Sequence, residues 1–429
     1  MWPGASLSLE HHGRGIGSIG DGVRDLLLDR AQLGRSETPE SRRDDEQAHG
    51  HELEADPPSR THPEHAADAP GELASRPEQR LDPSIFHLPV ERMRSGYYSD
   101  KYFVRAREVL MADRHDAPVT MQVFQKKHAW LGGVDEAIAI LKLCLTDGFA
   151  WDDLEVHALR DGDRIEPWET VLLVRGPYSA FSHLETLYLG VLARRTKVAT
   201  NTRKVVETAW PKSIMFFPAR HDHWLVQTGD GYAAHIAGAI GVSTDAQASW
   251  WGSEGVGTVP HALIAAYGGD TVEATLAFAR TMPGDVNIIS LVDFENDCVR
   301  TSLEVARALG PRLGGVRLDT SESLVDLSIL PQMGGFDPRG VNPQLVWNVR
   351  NALDAEGFND VQIVVSGGFT ADKIRHFEDL GVPVDSYGVG SSLFRDRFDF
   401  TADVVLLDDL PVAKVGRSYR PNPRLERVE

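Results

Sequence analysis

The chain beyond residue 91 alternates short apolar runs with stretches of helical periodicity. Six apolar runs, rich in β-branched and aromatic residues, predict strands at residues 214–218, 248–251, 287–292, 315–318, 361–365 and 386–389. The stretches between them predict helices at residues 232–240, 260–267, 271–280, 298–309, 343–356 and 371–380. Strands that alternate with helices form a parallel sheet. Because six strands are fewer than the eight of a complete barrel, the pattern predicts an incomplete β/α barrel.

The segment before the barrel has a different order of elements. Its pattern predicts a helix at residues 136–145, a strand at 170–174, and a long helix from 183 to 195 that continues, past one potential break, to 207. We therefore predict an N-terminal α/β domain over residues 91–205, joined by residues 395–429. The barrel with the active site is expected over residues 206–394.

Residues 1–90 have the composition of a disordered extension. The segment contains no lysine and few aromatic residues, and it is rich in His, Glu, Asp, Arg and Pro. Such a segment buries too little apolar surface to offset the entropy of ordering. Since the first folded pattern begins near Met93, one hypothesis is that translation starts there. A Gly-x-Gly-x-x-Gly pattern at residues 15–20 lacks a preceding strand and does not predict nucleotide binding.

Charge and cysteine content narrow the classes of function. The net charge of -19 argues against general binding to nucleic acids or anionic membranes. Cys144 and Cys298 are far apart without metal-ligand spacing, and the pair His221 and His223 lacks a third ligand. No apolar run approaches the ~20 residues that span a bilayer. These features predict a cytoplasmic protein whose partners are small molecules.

Two glycine-rich turns follow the last two predicted strands and carry the clearest chemical signal. Their residues are Ser366, Gly367 and Gly368 in the first turn, and Gly388, Gly390 and Ser391 in the second. Glycines let backbone N–H groups approach an anion, and the N-terminus of the next helix favours negative charge. One such turn is explained equally well by backbone geometry, but two on consecutive strands predict a phosphate site.

Charged residues accompany the predicted strand ends. Arg317 and Asp319 share one face of a strand because alternate residues point the same way, although a structural ion pair is the alternative. Arg203 lies late in the long helix, where it is either a pyrophosphate contact or part of a surface basic pair. Further positive charge on this helix comes from Arg194, Arg195 and Lys197, which favours a polyphosphate site.

Other polar residues extend the same picture. Phe217 and Arg220 end the first barrel strand, and an aromatic face beside a cation suits a flat ring that bears a carboxylate. His261 begins a helix, where a capping or packed histidine is the alternative. Asp293 and Glu295, at another strand end, are candidates to hold Mg²⁺ directly or through water. A phosphate cradle, arginines and a carboxylate together predict an enzyme that acts on a phosphorylated sugar.

Five motifs occur in the order found in one enzyme family. They are residues 97–102, 199–203, 257–261 and 316–320, followed by the paired glycine turns. On these motifs, residues 94–394 resemble the nicotinate phosphoribosyltransferases and their relatives that use nicotinamide or quinolinate. The resemblance implies the type II phosphoribosyltransferase fold and a homodimer with shared active sites. It also implies formation of nicotinate mononucleotide and pyrophosphate from nicotinate and phosphoribosyl pyrophosphate, in NAD biosynthesis.

The resemblance further implies how the pyridine ring is held. Tyr98 of the partner subunit, or else Tyr97 of the partner subunit, would stack on one face of the ring. Phe217 would form the opposing face, with Arg220 and Arg317 near the carboxylate and the phosphates.

The remaining roles implied by the resemblance concern the ribose, the pyrophosphate and ATP. Asp319 would lie close to the ring and ribose, and Arg203 on the pyrophosphate side, with Mg²⁺ as cofactor. His261 is similar to the histidine that such enzymes can phosphorylate, which implies ATP as a co-substrate.

Substrate choice is predicted from residues 241–244. This turn, with Ser243 and Thr244, resembles one that carries an aspartate in relatives using nicotinamide, and Ser243 aligns with that aspartate. A serine can donate to a carboxylate whereas an aspartate would repel it, so nicotinate is favoured. The run Thr320, Ser321 and Glu322 departs from the family, which often has Ser-Gly-Asp after the aspartate. The alternatives are a nicotinamide or quinolinate enzyme, a barrel isomerase or aldolase, and a non-catalytic binder of phosphoribosyl pyrophosphate.

Overall fold

The structure, a computed structural model, describes residues 77–284 and 286–429. The strands are β1 Pro118–Phe124, β2 Ala129–Trp130, β3 Glu155–Ala158, β4 Arg164–Ile165, β5 Thr170–Pro177, β6 Ser213–Phe216, β7 Gly241–Val242, β8 Ile288–Leu291, β9 Leu313–Leu318, β10 Gln362–Val365, β11 Ser386–Val389, β12 Thr401–Leu407, β13 Leu410–Pro411 and β14 Glu426–Arg427. The helices are α1 Val90–Arg94, α2 Lys101–Asp113, α3 Val134–Leu143, α4 Tyr178–Phe181, α5 Glu185–Ala209, α6 Gln227–Ile236, α7 Asp245–Ala248, α8 His261–Ala266, α9 Thr271–Thr281, α10 Cys298–Leu309, α11 Pro343–Ala355 and α12 Ala371–Asp379. Within these residues, no helix is long and apolar enough to cross a membrane.

The strands form two large sheets of opposite character. One sheet is antiparallel, in the order β13-β12-β1-β5-β3-β14, so that strands near the C-terminus pair with strands near residue 118. The other is parallel, in the order β7-β6-β11-β10-β9-β8. Its edge strands β7 and β8 do not pair with each other in the described part of the chain. The prediction of an incomplete β/α barrel is therefore confirmed.

One predicted strand is wrong. Residues 248–251 are helical, as the end of α7 followed by a 3₁₀ turn at Ser249–Trp251, and the sixth parallel strand is β7. Thr244 caps α7 by accepting a hydrogen bond from the backbone N–H of Gln247, and the Trp251 ring stacks on His235 at 4.4 Å. The strand preference of tryptophan is thus overridden by a helix cap and by aromatic packing.

Part of the predicted extension belongs to the folded protein. Arg80 Nη1 donates to Asp135 Oδ1 at 2.8 Å, and the backbone N–H of Leu81 donates to Asp135 Oδ2 at 2.9 Å. The buried ring of Phe86 contacts Trp250 edge to face at 4.8 Å. The predicted extension therefore ends earlier than residue 90, because residues 77–90 belong to the folded part of the chain. The remaining extension and the glycine pattern at residues 15–20 lie outside the described residues.

Side-chain caps set where the helices behind the parallel strands begin. Each capping oxygen accepts a hydrogen bond from the backbone N–H three residues later, which satisfies a donor that the helix itself leaves unpaired. These caps are Asp270 on α9, Asp297 on α10, Asn342 on α11 and Thr370 on α12. The caps fix the lengths of the loops that leave the carboxyl ends of the strands.

Helix α5 joins the two hydrophobic cores. Tyr188 and Leu192 in its first half pack in the core beneath the antiparallel sheet, while Val198 and Val205 in its second half pack in the barrel core. Its 25 residues run without the predicted break. At about 1.5 Å per residue, a helix of this length spans roughly 37 Å, enough to cross both cores.

A buried ion-pair network holds α5 against α3 and α6. Arg195 Nε donates to Glu136 Oε2 at 2.9 Å, and Arg195 Nη1 donates to Asp230 Oδ1 at 2.7 Å. Arg194 donates to both Asp230 oxygens and to Asp222 Oδ2. The interpretation that these arginines serve a polyphosphate site is therefore wrong, because both guanidinium groups already face carboxylates within the fold.

This network predicts a position-specific effect of adding one methyl group. A Cβ at Gly229 would overlap the Arg195 guanidinium, which its ion pairs hold in place. We expect Gly229→Ala to lower the free energy of unfolding by about 1–3 kcal/mol, the usual cost of overpacking. The matched control is Gly190→Ala in α5, where no atom lies within 4 Å of the new Cβ. Because alanine is the better helix former by about 1 kcal/mol, the control should not destabilise. Urea denaturation measures both variants, and equal stability would contradict the role of the network.

Candidate functional site

A cavity of about 700 Å³ opens at the carboxyl ends of the parallel strands. Parallel β/α sheets bind ligands at this edge because the loops after the strands converge there. The residues that line it are Phe217, Ala219, Arg220, His221, Ser243, Thr244, Val256, Gly257, Thr258, Pro260, His261, Ala262, Arg317, Asp319, Ser366, Gly367, Gly368, Phe369, Gly388, Gly390 and Ser391. The structure thus brings together candidates that lie up to 174 residues apart in the chain, from Phe217 to Ser391.

The turn after β10 has the geometry of an anion-binding loop. Gly367 and Gly368 have φ angles of +86° and +70°, a left-handed conformation that side chains rarely adopt. The turn leads directly into α12, so that the positive end of the helix dipole lies next to the turn. Successive amides in such a turn form a concave site for an anion.

Asp319 is held by two neighbours at the centre of the cavity. Ser366 Oγ donates to Asp319 Oδ1 at 2.7 Å, and Arg317 Nη2 lies 3.5 Å from Asp319 Oδ2. Arg317 Nη1 also donates to Thr258 Oγ1 at 2.8 Å. Burial lowers the pKa of Arg317, although Asp319 and Asp293 oppose that shift. The guanidinium is therefore partly desolvated, which strengthens its interaction with an anion in the cavity.

An aromatic ring and a cation after β6 line the cavity, those of Phe217 and Arg220. Phe217 lies against Gly388, where a Cβ would approach the ring to 2.7 Å, so the second glycine turn makes room for this ring. Arg220 is exposed, and it has no ion-pair partner within residues 77–284 and 286–429. The positive charge of Arg220 repels that of Arg317 and lowers the pKa of Arg317. The two guanidinium groups create a positive end of the cavity.

The turn after β7 presents two hydroxyl groups. Ser243 Oγ donates to Gln247 Oε1 at 3.1 Å, and the Ser243 backbone N–H donates to the same oxygen at 3.0 Å. Thr244 Oγ1 donates to Gln227 Oε1 at 3.0 Å. Both hydroxyl hydrogens are therefore directed at glutamine oxygens, and a carboxylate ligand would compete with those oxygens for them.

His261 is paired with a buried carboxylate. His261 Nε2 lies 3.2 Å from Asp293 Oδ2, while Asp293 Oδ1 is buried without a hydrogen-bond partner in the described residues. Burial raises the pKa of Asp293, and nearby Asp319 raises it further, against the opposing effect of His261. A histidine held this way by a carboxylate has a fixed ring orientation.

Five predicted site residues do not line the cavity: Arg203, Asp293, Glu295, Tyr97 and Tyr98. Arg203 is buried, donates to Glu207 and places its guanidinium 4.3 Å from the centre of the Trp130 ring. The Glu295 carboxylate pairs with Arg300, so Asp293 and Glu295 do not converge. In the described residues, no group of three or more His, Cys, Asp or Glu side chains is arranged to hold a metal.

The two tyrosines lie on the surface. Tyr97 is 69% exposed and Tyr98 is 43% exposed, and their rings contact each other edge to face at 4.9 Å. Neither ring lines the cavity of its own subunit.

Among the residues that line the cavity, sequence reasoning missed two with polar side chains, Thr258 and His221. Thr258 lies within the motif at residues 257–261, but its contact with Arg317 spans 59 positions and no local pattern signals it. His221 packs over the second glycine turn, since a Cβ at Gly390 would approach His221 Cε1 to 2.9 Å. The position of His221 next to Arg220 in the sequence could have indicated that His221 lines the cavity.

The chain is similar to several known proteins. A family model described as the N-terminal domain of quinolinate phosphoribosyl transferase matches residues 100–196. Nicotinate phosphoribosyltransferase pncB1 of Mycobacterium tuberculosis is 30% identical over 282 residues, which cover 63% of this chain and 57% of the relative. The chain spans about half the length of the curated relatives it matches.

Solved structures show the same fold. The crystal structure of nicotinate-nucleotide pyrophosphorylase from Pyrococcus furiosus is 30% identical with a TM-score of 0.67, covering 80% of this chain and 85% of that chain. Human nicotinic acid phosphoribosyltransferase has a TM-score of 0.59 at 18% identity, covering 73% of this chain and 75% of that chain, a likeness of fold alone.

The contact between Thr258 and Arg317 predicts that two conservative substitutions of Thr258 differ in their effect on anion affinity. Thr258→Val removes the acceptor that holds Arg317 Nη1, so the guanidinium should turn toward Asp319. We expect the affinity for inorganic pyrophosphate to fall about tenfold, since hydrogen bonds to charged groups contribute about 1.5–3 kcal/mol. Thr258→Ser keeps the hydroxyl and should bind like the unmodified protein. Isothermal titration calorimetry compares the three proteins, and equal affinities would show that Thr258 does not position Arg317.

Proposed function

The chain belongs to the nicotinate phosphoribosyltransferase family of type II phosphoribosyltransferases, and from this premise we propose that it forms nicotinate mononucleotide and pyrophosphate from nicotinate and phosphoribosyl pyrophosphate. In this reaction, the pyridine nitrogen bonds to the anomeric carbon of the ribose. The bond from that carbon to the pyrophosphate oxygen breaks, and pyrophosphate leaves with the electron pair. The proposed place of the reaction is NAD biosynthesis.

The observation that carries this proposal is the shared cavity of two glycine turns, the Arg317–Asp319 pair and the Phe217–Arg220 pair. The glycine turns would bind the 5-phosphate through backbone amides. Asp319 would lie near the ribose and balance the positive charge that develops at the anomeric carbon. Such positioning and electrostatic effects suffice for group transfer without a covalent intermediate on the protein.

The choice of nicotinate rests mainly on charge. Arg220 offers an exposed guanidinium in the cavity that Phe217 also lines, and a carboxylate accepts hydrogen bonds from a guanidinium in a bidentate geometry. Neither Ser243 nor Thr244 brings a negative charge that would repel the substrate carboxylate. We therefore propose that Arg220 supplies the preference, and that Ser243 and Thr244 contribute by remaining neutral.

Quinolinate is the second candidate. The matching domain model is described as that of quinolinate phosphoribosyl transferase, and Arg220 and Arg317 together could neutralise two carboxylates. A second carboxylate would, however, take Arg317 away from Asp319 and the phosphates. Nicotinate requires only one of the two arginines and is therefore the favoured substrate.

We further propose that Mg²⁺ acts as cofactor beside Asp319 and Asp293. The unpartnered Asp293 Oδ1 and the nearby Asp319 carboxylate fit this ion, which takes one or two carboxylates, several waters and substrate phosphates. Glu295 does not fit, because its carboxylate pairs with Arg300. When bound, Mg²⁺ would neutralise charge on the pyrophosphate leaving group.

We propose that ATP is a co-substrate that transfers its γ-phosphoryl group to His261 and leaves as ADP. In the tautomer that carries its proton on Nε2, His261 donates to Asp293 Oδ2 and leaves the Nδ1 lone pair to accept a phosphoryl group. Asp293 would fix the orientation of the imidazole during this transfer.

We also propose a homodimer in which Tyr98 of the partner subunit completes the ring site. The exposure of Tyr97 and Tyr98 supports this proposal, because large exposed aromatic side chains often mark interaction surfaces. Arg203, which is buried away from the cavity, would act indirectly by supporting β2 through Trp130.

The first test is product formation by the purified protein with phosphoribosyl pyrophosphate and Mg²⁺. Nicotinate, nicotinamide and quinolinate are supplied separately, and we expect mononucleotide from nicotinate alone. Asp319→Asn should reduce turnover by about 10²–10³-fold, a typical effect of losing one electrostatic stabiliser. Asp337→Asn, a surface carboxylate paired with Arg339, is the matched control and should keep full activity. Product from another pyridine would overturn the specificity, and an active Asp319→Asn would refute the role of Asp319.

The second test concerns ATP. His261→Ala should abolish the stimulation of turnover by ATP while the basal reaction persists, and it should no longer incorporate phosphate from γ-labelled ATP. His128→Ala, an exposed histidine paired with Glu166, is the control and should retain both properties. Equal stimulation of the His261→Ala and unmodified proteins would contradict phosphorylation at His261.

A further inference from the structure

A carboxylate lies on the glycine turn assigned to the phosphate. A Cβ built on Gly368 would overlap Glu322 Oε1, so this oxygen lies directly over the backbone of the turn. Glu322 itself is exposed and follows β9 by four residues. A carboxylate at this place is unexpected on charge alone, because the phosphate that the turn would bind is also negative.

Positive charge around the turn explains why an anion is stable there. Lys373 Nζ donates to Gly367 O at 3.3 Å and lies 4.4 Å from the centre of the Phe369 ring. Burial lowers the pKa of Lys373, and the carboxylates of Glu322 and Asp337 oppose that shift. The N-terminus of α12 adds its partial positive charge at the same point. The turn therefore attracts anions, and Glu322 supplies one from within the chain.

We propose that Glu322 is an internal competitor for this anion site, and that it makes the site select phosphoribosyl pyrophosphate over free phosphate. This inference rests on the proposed function. A phosphate group that reaches the amides of Gly368 must displace the Glu322 carboxylate, because the two negative groups would otherwise meet at the same backbone. Free phosphate gains only the turn itself. A sugar phosphate that also contacts Asp319 and Arg317 gains further interactions that offset the displacement.

The position of Glu322 in the chain suits this role. Gly340 lies against the Glu322 backbone, where a Cβ would approach Glu322 Cα to 3.2 Å, so the loop that carries Glu322 is supported from behind. Its side chain has no such constraint, because Glu322 is exposed and only its carboxylate lies beside Gly368, a residue that lines the cavity. The carboxylate can therefore rotate away from Gly368 without movement of the backbone.

Calorimetric titration with inorganic phosphate and, separately, with phosphoribosyl pyrophosphate tests the proposal. Glu322→Gln keeps the shape and removes the charge, and we expect it to bind inorganic phosphate roughly tenfold more tightly, with a smaller gain for phosphoribosyl pyrophosphate. The control Glu304→Gln makes the same charge change on α10 and should leave both affinities unchanged. Lys373→Met should weaken phosphate binding. Thermal denaturation of each variant verifies that it is folded.

Two outcomes would overturn the proposal. Unchanged or weaker phosphate binding by Glu322→Gln would show that the carboxylate does not compete. Weaker binding of phosphoribosyl pyrophosphate with unchanged phosphate binding would instead assign Glu322 to the ribose hydroxyls. These titrations measure binding and require no turnover. A protein that binds phosphoribosyl pyrophosphate but makes no mononucleotide would refute the proposed function. The titrations would still decide whether Glu322 competes with phosphate.

Discussion

The ion pairs of Arg195 and Arg194 with Asp230 are the interaction on which the rest of the structure depends. Asp230 is 1% exposed, and both guanidinium groups that face it belong to the helix that crosses the two hydrophobic cores. Removing one member of a buried network leaves an uncompensated charge, which is far more costly than the net gain from the network. Through Asp222, the same network also reaches the loop after β6 that presents Arg220.

The polar groups of the cavity come from several loops that meet at one edge of the parallel sheet, and no single sequence motif supplies them all. Each parallel strand ends at the same edge, so a loop after each strand adds one or two polar groups to one space. Two arginines and the amides of two glycine turns provide positive character, and Asp319, Asp293 and Glu322 are the carboxylates around it. In a chain with a net charge of -19, this local reversal of charge marks the site more clearly than its shape does.

Family membership and fold answer different questions about this protein. The fold is shared with structures whose identity to this chain is as low as 18%, and a fold by itself does not define a substrate. Reaction and substrate are therefore proposed from this chain's own residues, above all from the placement of Arg220, Arg317 and Asp319 in one cavity.

The sequence alone determined the elements and the residues at the strand ends, because periodicity, caps and glycines act within a few residues of one another. Five of the six parallel strands and the shared face of Arg317 and Asp319 were predictable for this reason. Only the tertiary structure decided the contacts between distant segments, such as Thr258 with Arg317 and His261 with Asp293. It also decided that residues 248–251 are helical, since the packing of Trp251 on His235 outweighs local strand preference. Such contacts depend on which side chains the packed sheets and helices bring within reach, and that information is absent from any short window of the chain.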